Sequence, residues 1–265
     1  MVKTISSLQN PFIKQLVQLK EKSKLRKQTG LFVIEGKREL SLAIKSNYRI
    51  ETLYYNPNLF SASEAASLEP YGIDVIEITK AIYEKVAHRD STEGVIAVAK
   101  AKNFDLKNLE LKSKTPLILV AEAPEKPGNI GALLRTGDAA NVDAIIISNP
   151  LTDLYNPNII RSSVGGVFTV PIAMGSSEEV IDFLRTKNIS IYAATLQDSV
   201  VYDSIDFKKA TALIVGTEST GLSEPWRDAA TTKIRIPMQG KIDSMNVSVA
   251  AGILVFEAKR QRKFS

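Results

Sequence analysis

Apolar residues along this chain recur with two different periods, and the switches between them mark out its elements. From Pro11 to Lys27, Phe12, Ile13, Leu16, Val17 and Leu19 fall at roughly helical spacing with lysines between them. That pattern predicts an amphipathic helix with one basic face. Gly30 stops it, and the run Leu31–Ile34 predicts a short buried strand. Lys37–Ser46, with Leu40, Ala43 and Ile44 on one face, predicts a second helix. Strand-like runs at Thr52–Tyr55, Ile73–Ile78 and Val95–Ala99 then alternate with helix-like segments at Ser63–Ser67 and Lys80–Ala87. The first part of the chain therefore reads as a small alternating α/β unit of about a hundred residues.

Over Lys100–Lys114 the apolar rhythm gives way to lysine, asparagine and acids, as a linker would show. Beyond it the alternation restarts on a larger scale. Strands are predicted at Leu117–Ala121, Ala144–Ser148, Phe168–Ile172, Ser190–Thr195, Thr211–Val215 and Lys233–Ile236. Helices are predicted at Ile130–Ala140, Asn158–Ser163, Glu178–Thr186 and Val247–Gln261. Continuously apolar strands separated by helices imply a mostly parallel sheet covered on both faces. The expected organisation is a domain over 1–103, a linker over 104–114 and a larger α/β domain over 115–265.

Composition narrows the chemistry. The chain has 265 residues, 44% of them hydrophobic, enough for a real core. It has no cysteine, which excludes disulfides, thiolate nucleophiles and cysteine zinc sites. His88 is the only histidine, so a multi-histidine metal site is impossible, and its polar surroundings suggest a surface position. The net charge is +5, but it is unevenly placed: residues 1–27 carry +6, Lys259, Arg260, Arg262 and Lys263 carry +4, and the remainder carries −5. Basic ends on an acidic body suggest a localised polyanion footprint, although solvated helix faces and a frayed tail would give the same charge. Met1–Leu16 lacks the apolar core of a signal peptide, and the run Val247–Phe256 is about half the ~20 residues that span a bilayer. A soluble cytoplasmic protein is expected.

Three stretches pair glycine or proline with uncharged polar residues and a lone charge. They are Asn129–Arg135 (NIGALLR), Gly216–Gly221 (GTESTG), and Ile236-Pro237-Met238 leading to Ser244-Met245-Asn246-Val247-Ser248. Each has a purely structural reading. Asn129 could cap a helix whose Arg135 faces solvent, Glu218 could occupy a strand-to-helix turn, and Ser244 or Asn246 could cap the last helix. Two nucleotide signatures are excluded: Gly128, Gly131 and Gly137 are misspaced for a dinucleotide fingerprint, and Arg235 stands where Gly240-Lys241 would need a Walker glycine.

Taken together and in order, the three stretches resemble the motifs of the SpoU/TrmH branch of the SPOUT superfamily, RNA ribose 2'-O-methyltransferases that use S-adenosylmethionine. The resemblance implies that Arg135 acts at the 2'-hydroxyl with support from Asn129 and Glu218, and that Ser244 and Asn246 lie close to the chemistry. It implies a cofactor pocket of Thr195, Leu196, Gly216, Thr217, Glu218, Gly221, Ile236, Met238, Ser244, Met245 and Asn246. Methionine at 245 replaces the more usual leucine with its volume preserved. A guanidinium keeps its proton up to about pH 12, so holding the substrate and stabilising the alkoxide is the conservative role for Arg135. No metal is required.

Phe32–Leu40 (FVIEGKREL) is similar to the start of the substrate-binding domain that precedes many SpoU catalytic domains, itself similar to ribosomal proteins that bind kinked RNA. RNA contacts are thereby implied at Lys37 and Arg38, with Arg135 and Arg161 adding to them. The family also implies a deep trefoil knot from about Thr211 onward and a homodimer. The expected function is 2'-O-methylation of structured RNA, 23S ribosomal RNA above all. The alternatives are a tRNA substrate or a non-catalytic RNA-binding module. A chain beginning near Leu111 is expected to fold by itself.

Overall fold

The computed structural model describes residues 3–68, 71–88, 93–217, 220–241 and 244–264. The chain forms two compact units. One comprises the residues up to 102 together with 153–169, and the other comprises 103–152 and the residues from 170 on.

In the first unit, β1 (Lys3–Ile5), β2 (Leu31–Glu35), β3 (Ile50–Tyr55), β4 (Asp74–Ile78) and β5 (Val95–Lys100) form a sheet of order β1-β4-β3-β5-β2. β5 runs antiparallel to its neighbours β2 and β3, and the other pairs are parallel. The predicted basic helix is two helices, α1 (Pro11–Glu21) and α2 (Ser23–Thr29), broken at Lys22, which has φ −109° and ψ 102°. The break frees carbonyls at the end of α1, and Arg26 uses them: its Nη1 donates to Leu19 O at 2.7 Å and to Lys20 O at 3.1 Å. Ile13, Leu16 and Leu19 of α1 bury against Val33, Tyr54, Ile76 and Ile96 of the sheet. Helices α3 (Lys37–Lys45), α4 (Ala62–Ala66) and α5 (Lys80–Val86) complete the layer.

Sequence reading assigned 153–169 to the second domain, but its packing lies with the first. Phe32 stacks on Tyr155 with ring centroids 4.1 Å apart, and Tyr48 meets Phe168 edge-on at 5.1 Å. Burial pushes the Tyr155 hydroxyl pKa up, and the nearby Tyr48 adds to the effect. Arg26 Nε donates to Asp153 Oδ2 at 2.5 Å, with both side chains nearly buried. The predicted strand at Phe168–Ile172 is not formed. Residues Gly166–Thr169 make a helical turn, because Phe168 turns into the aromatic cluster, and the strand begins at Ile172.

The second unit carries β6 (Leu117–Glu122), α6 (Pro127–Ala139), β7 (Ala144–Ser148), β8 (Ile172–Gly175), α9 (Ser177–Thr186), β9 (Ser190–Ala194), β10 (Val200–Val201), β11 (Thr211–Val215), α10 (Glu224–Ala229), β12 (Thr232–Arg235) and α11 (Val247–Gln261). The two short helices Pro157–Ser162 (α7) and Gly166–Thr169 (α8) belong to the first unit. The sheet order is β10-β12-β9-β11-β6-β7-β8, and every pairing is parallel. Every residue of β6, β7 and β11 is buried, as a two-faced parallel sheet requires. The expected linker is docked: Met174 N donates to Phe104 O at 2.7 Å, and Leu106, Leu109 and Leu111 pack on this unit's core. Parallel strands put their carboxyl ends on one edge, where ligands of such sheets bind. Here that edge holds the loops after β6, β9, β11 and β12.

Candidate active site at the carboxyl edge of the parallel sheet

A cavity of about 380 Å³ opens at this edge, within the usual size range for small-molecule pockets. The end of β9 supplies Thr195 and Leu196, the loop after β11 supplies Gly216, Thr217 and Gly221, and the segment after β12 supplies Ile236, Met238, Ser244 and Met245. Nine of the eleven expected cofactor residues are thus gathered in one place. Asn246 is not among the lining residues, and Glu218 lies outside the described residues.

The loop after β11 is tightly folded. Thr217 and Gly221 exchange backbone hydrogen bonds of 3.2 and 3.1 Å, and the Thr217 and Thr220 hydroxyls lie 2.8 Å apart. Gly221 has φ +68°, and a Cβ on Gly216 would lie 2.4 Å from the Gly221 carbonyl carbon and oxygen. Only glycine at 216 lets the loop close on itself and leave the cavity open.

A buried carboxylate anchors the far end of that loop. Glu122, 5% exposed at the end of β6, accepts from Ser223 N at 2.9 Å, Ser223 Oγ at 2.6 Å and Ser177 Oγ at 3.2 Å. Ser177 Oγ also meets Trp226 Nε1 and Ser148 Oγ, each at 2.9 Å. Arg227, which lines the cavity, donates to Leu222 O at 2.6 Å. The loop is therefore held at both ends by hydrogen bonds, and those around Ser177 and Glu122 at its far end are buried.

Asn129 does not cap α6. The helix begins two residues earlier at Pro127, with Lys126 in the cap position, because proline suits the first helical turn. Asn129 instead accepts a 3.1 Å bond from Asn246 Nδ2, which ties the first motif to the third. Asn246 does cap α11, its Oδ1 accepting from Ser248 N at 3.0 Å. Arg135, further along α6, is exposed and makes no hydrogen bond or ion pair among the described residues. It does not line the cavity.

Lys37, Arg38 and Arg161 all lie in the first unit. Arg161 sits on α7, capped by Asn156 and not Asn158, and its Nη2 donates to Asn158 Oδ1 at 2.8 Å. Sequence reasoning missed Glu122, and it missed Arg227 and Arg235 as cavity walls. A single carboxylate ending an apolar strand was the available signal for Glu122. Among the described residues, no group of three or more His, Asp or Glu gathers as a metal site, and no helix is long and apolar enough to cross a membrane.

The cavity fits S-adenosylmethionine in kind: a glycine cradle with exposed backbone, apolar walls from Leu196, Ile236 and Met245, and hydroxyls from Thr195 and Ser244. Comparison with known proteins agrees. Residues 116–256 match the SpoU rRNA methylase family, and residues 10–97 match an MRM3-like substrate binding domain. A 23S rRNA (guanosine(2553)-2'-O)-methyltransferase of Bacillus subtilis is 27% identical over 97% of this chain and 100% of its own. A 23S rRNA (uridine(2479)-2'-O)-methyltransferase of Streptomyces viridochromogenes is 29% identical over 89% of this chain and 85% of its own. The AdoMet-bound rRNA methyltransferase of Sinorhizobium meliloti superimposes with a TM-score of 0.90 at 31% identity, covering 98% of each chain. With its three motifs converging on one sheet edge, and with relatives alike over nearly its whole length, this chain belongs to the SpoU rRNA methylase family.

Proposed function

We propose that this protein transfers a methyl group from S-adenosylmethionine to a ribose 2'-hydroxyl of 23S ribosomal RNA. The observation that carries this reading is the cavity formed jointly by the loops after β11 and β12, with the Asn129–Asn246 bond joining the first motif to the third. When bound, the cofactor supplies an electrophilic methyl group. The remaining tasks fall to the chain. Gly216, Ile236 and Met245 offer backbone and apolar surface to the cofactor, and Ser244 lies at the same wall. The Asn129–Asn246 pair fixes the start of α6 against the start of α11. Arg135 holds the ribose and its phosphate and stabilises the 2'-oxygen as its proton leaves, a fixed cationic donor acting where charge develops. Glu218 lies outside the described residues, and its part in the proposal is to orient Arg135.

Three finer features belong to the same proposal. The protein works as a homodimer, supported by Val249 and Phe256, exposed on α11 and seven residues apart on one stripe. The chain from about Thr211 onward is knotted. It acts in the cytoplasm. Calorimetry with S-adenosylmethionine in the presence of a chelator tests the site, and mapping ribose methylation of ribosomal RNA in a strain lacking the gene tests the substrate. A non-catalytic RNA-binding module would bind RNA, give no heat with the cofactor and leave the methylation map unchanged.

A further inference from the structure

The first unit holds a cavity of its own, about 400 Å³, lined by Glu35, Arg38, Glu39, His88, Glu93 and Arg161, with Val33 and Ile160 as apolar walls. All three of its carboxylates have a partner, and they differ in what is left over. Glu35 pairs with Lys20 Nζ at 2.6 Å and accepts from His88 N at 2.9 Å, and Glu93 accepts from Lys37 N at 2.5 Å. Glu39 differs. It is 9% exposed, and its Oε1 accepts from Arg38 Nη2 at 3.1 Å, while its Oε2 has no hydrogen bond among the described residues. That oxygen lies over the start of α3, where a Cβ on Gly36 would come within 2.7 Å of it. Gly36 has φ +101°, so glycine there serves both the turn and the placement of the carboxylate.

The cavity sets carboxylate acceptors beside the Arg38 and Arg161 guanidinium donors, and the part of an RNA that offers donors and acceptors together is an uncharged base. Carboxylates select hydrogen-bond donors and guanidiniums select acceptors. Guanine alone among the RNA bases offers two adjacent donors on one edge, N1–H and the 2-amino group, and two acceptors, O6 and N7, on another. We propose that this cavity takes one unstacked guanine of the RNA substrate, with Glu39 reading the donor edge and Arg38 or Arg161 the acceptor edge. The proposal rests on the RNA-binding reading above. An adjoining cavity shares His88 and Pro157; of its cations Lys20 and Arg26 are paired with Glu35 and Asp153, and Lys85, beside Glu21, is the one placed to meet the backbone leaving the base. Selection of substrate would then depend on a nucleotide bound in the first unit, apart from the ribose methylated at the second.

The test uses the full chain and a short oligouridine carrying one guanine, against the same oligomer with inosine or adenine in its place. Affinity is read by fluorescence anisotropy and location by amide shifts at Gly36–Leu40. Guanine should bind about tenfold more tightly than adenine, with inosine between, the range expected when one bidentate contact discriminates bases. Glu39→Gln should remove the preference while leaving the cofactor heat unchanged. Equal affinity for all three oligomers overturns the proposal, as does a guanine preference that survives Glu39→Gln or shifts confined elsewhere. If the cofactor binds and ribosomal RNA is methylated without guanine preference, the cavity proposal fails and the methyltransferase reading stands. If the cofactor does not bind, it is the methyltransferase reading that fails.

Discussion

Cutting the chain at Leu111 should not yield a well-folded catalytic domain, although the sequence suggests that it would. Such a fragment keeps 153–169 and deletes what that segment packs on: α7 lies on β2, α8 on α3, and Phe32 and Tyr48 enclose Tyr155 and Phe168. Tyr155, Ile159, Ile160, Val167 and Phe168 are each 6% exposed or less in the full chain. Uncovering a buried side chain of this size costs about 1.5–3 kcal/mol, so five of them amount to at most about 7–15 kcal/mol. Those contacts belong to the first unit, so in the fragment their loss leaves an exposed apolar segment, a site for aggregation, inserted in the second unit. The fragment also loses Leu106 and Leu109, which pack on the core of the second unit. Asp153 would lose its guanidinium partner as well. The expected result is aggregation or a broad, low thermal transition, read by light scattering and differential scanning calorimetry. A fragment 111–265 that is monodisperse and melts within about 5 °C of the full chain would refute the reasoning, because each kcal/mol moves the melting point of such a domain by about 2–4 °C.

Arg135→Ala should abolish methyl transfer to ribosomal RNA and leave cofactor affinity within a few-fold, since Arg135 stands outside the cavity, and Arg135→Lys should rescue poorly for want of a planar fork; single-turnover assays beside calorimetry decide it. Gly216→Ala should weaken cofactor binding about 5- to 150-fold, because a backbone carbonyl 2.4 Å from the new methyl cannot yield without opening the loop, and overpacking costs about 1–3 kcal/mol. Unchanged calorimetric affinity would count against that loop as the cofactor wall. Asp153→Ala should destabilise the first unit by about 3–5 kcal/mol in urea titrations, since it leaves the nearly buried Arg26 guanidinium without its counter-charge.

Most of the cavity wall and the loops that form it were legible because their requirements are local. Gly216, Pro237 and Asn246 are residue types that a tight loop, a turn or a helix cap demands, and such demands show in a short window. Errors of register had the same origin. Asn-Pro and Lys-Pro steps put the caps at Asn156 and Lys126 and the helix starts at Pro157 and Pro127, and a proline in the first turn should have outweighed the asparagines further on. The short run Phe168–Ile172 could not be told from a strand, since a few apolar residues carry no readable period. Strands β1 and β10, of three and two residues, are shorter than any pattern can reveal. The membership of 153–169 depends on Arg26, Phe32 and Tyr48, more than a hundred positions away, and no local signal announces a partner at that distance. Glu122 was hidden for a related reason: its donors, Ser177 and Ser223, meet it only once the sheet is assembled.

Trp226 is the chain's only tryptophan, fully buried on α10, with its indole N–H bonded to Ser177 and its neighbour Arg227 lining the cofactor cavity. The protein therefore carries a single indole, joined by hydrogen bonds to the element that follows the loop after β11. Emission from a dry, hydrogen-bonded indole should lie to the blue of free tryptophan, and any movement of Ser223 or Arg227 on ligand binding should alter its intensity with no background from a second indole. Stopped-flow fluorescence on the unlabelled protein, excited where only indole absorbs, would then time any movement of Ser223 or Arg227 directly, in the same mixing experiment that starts the reaction.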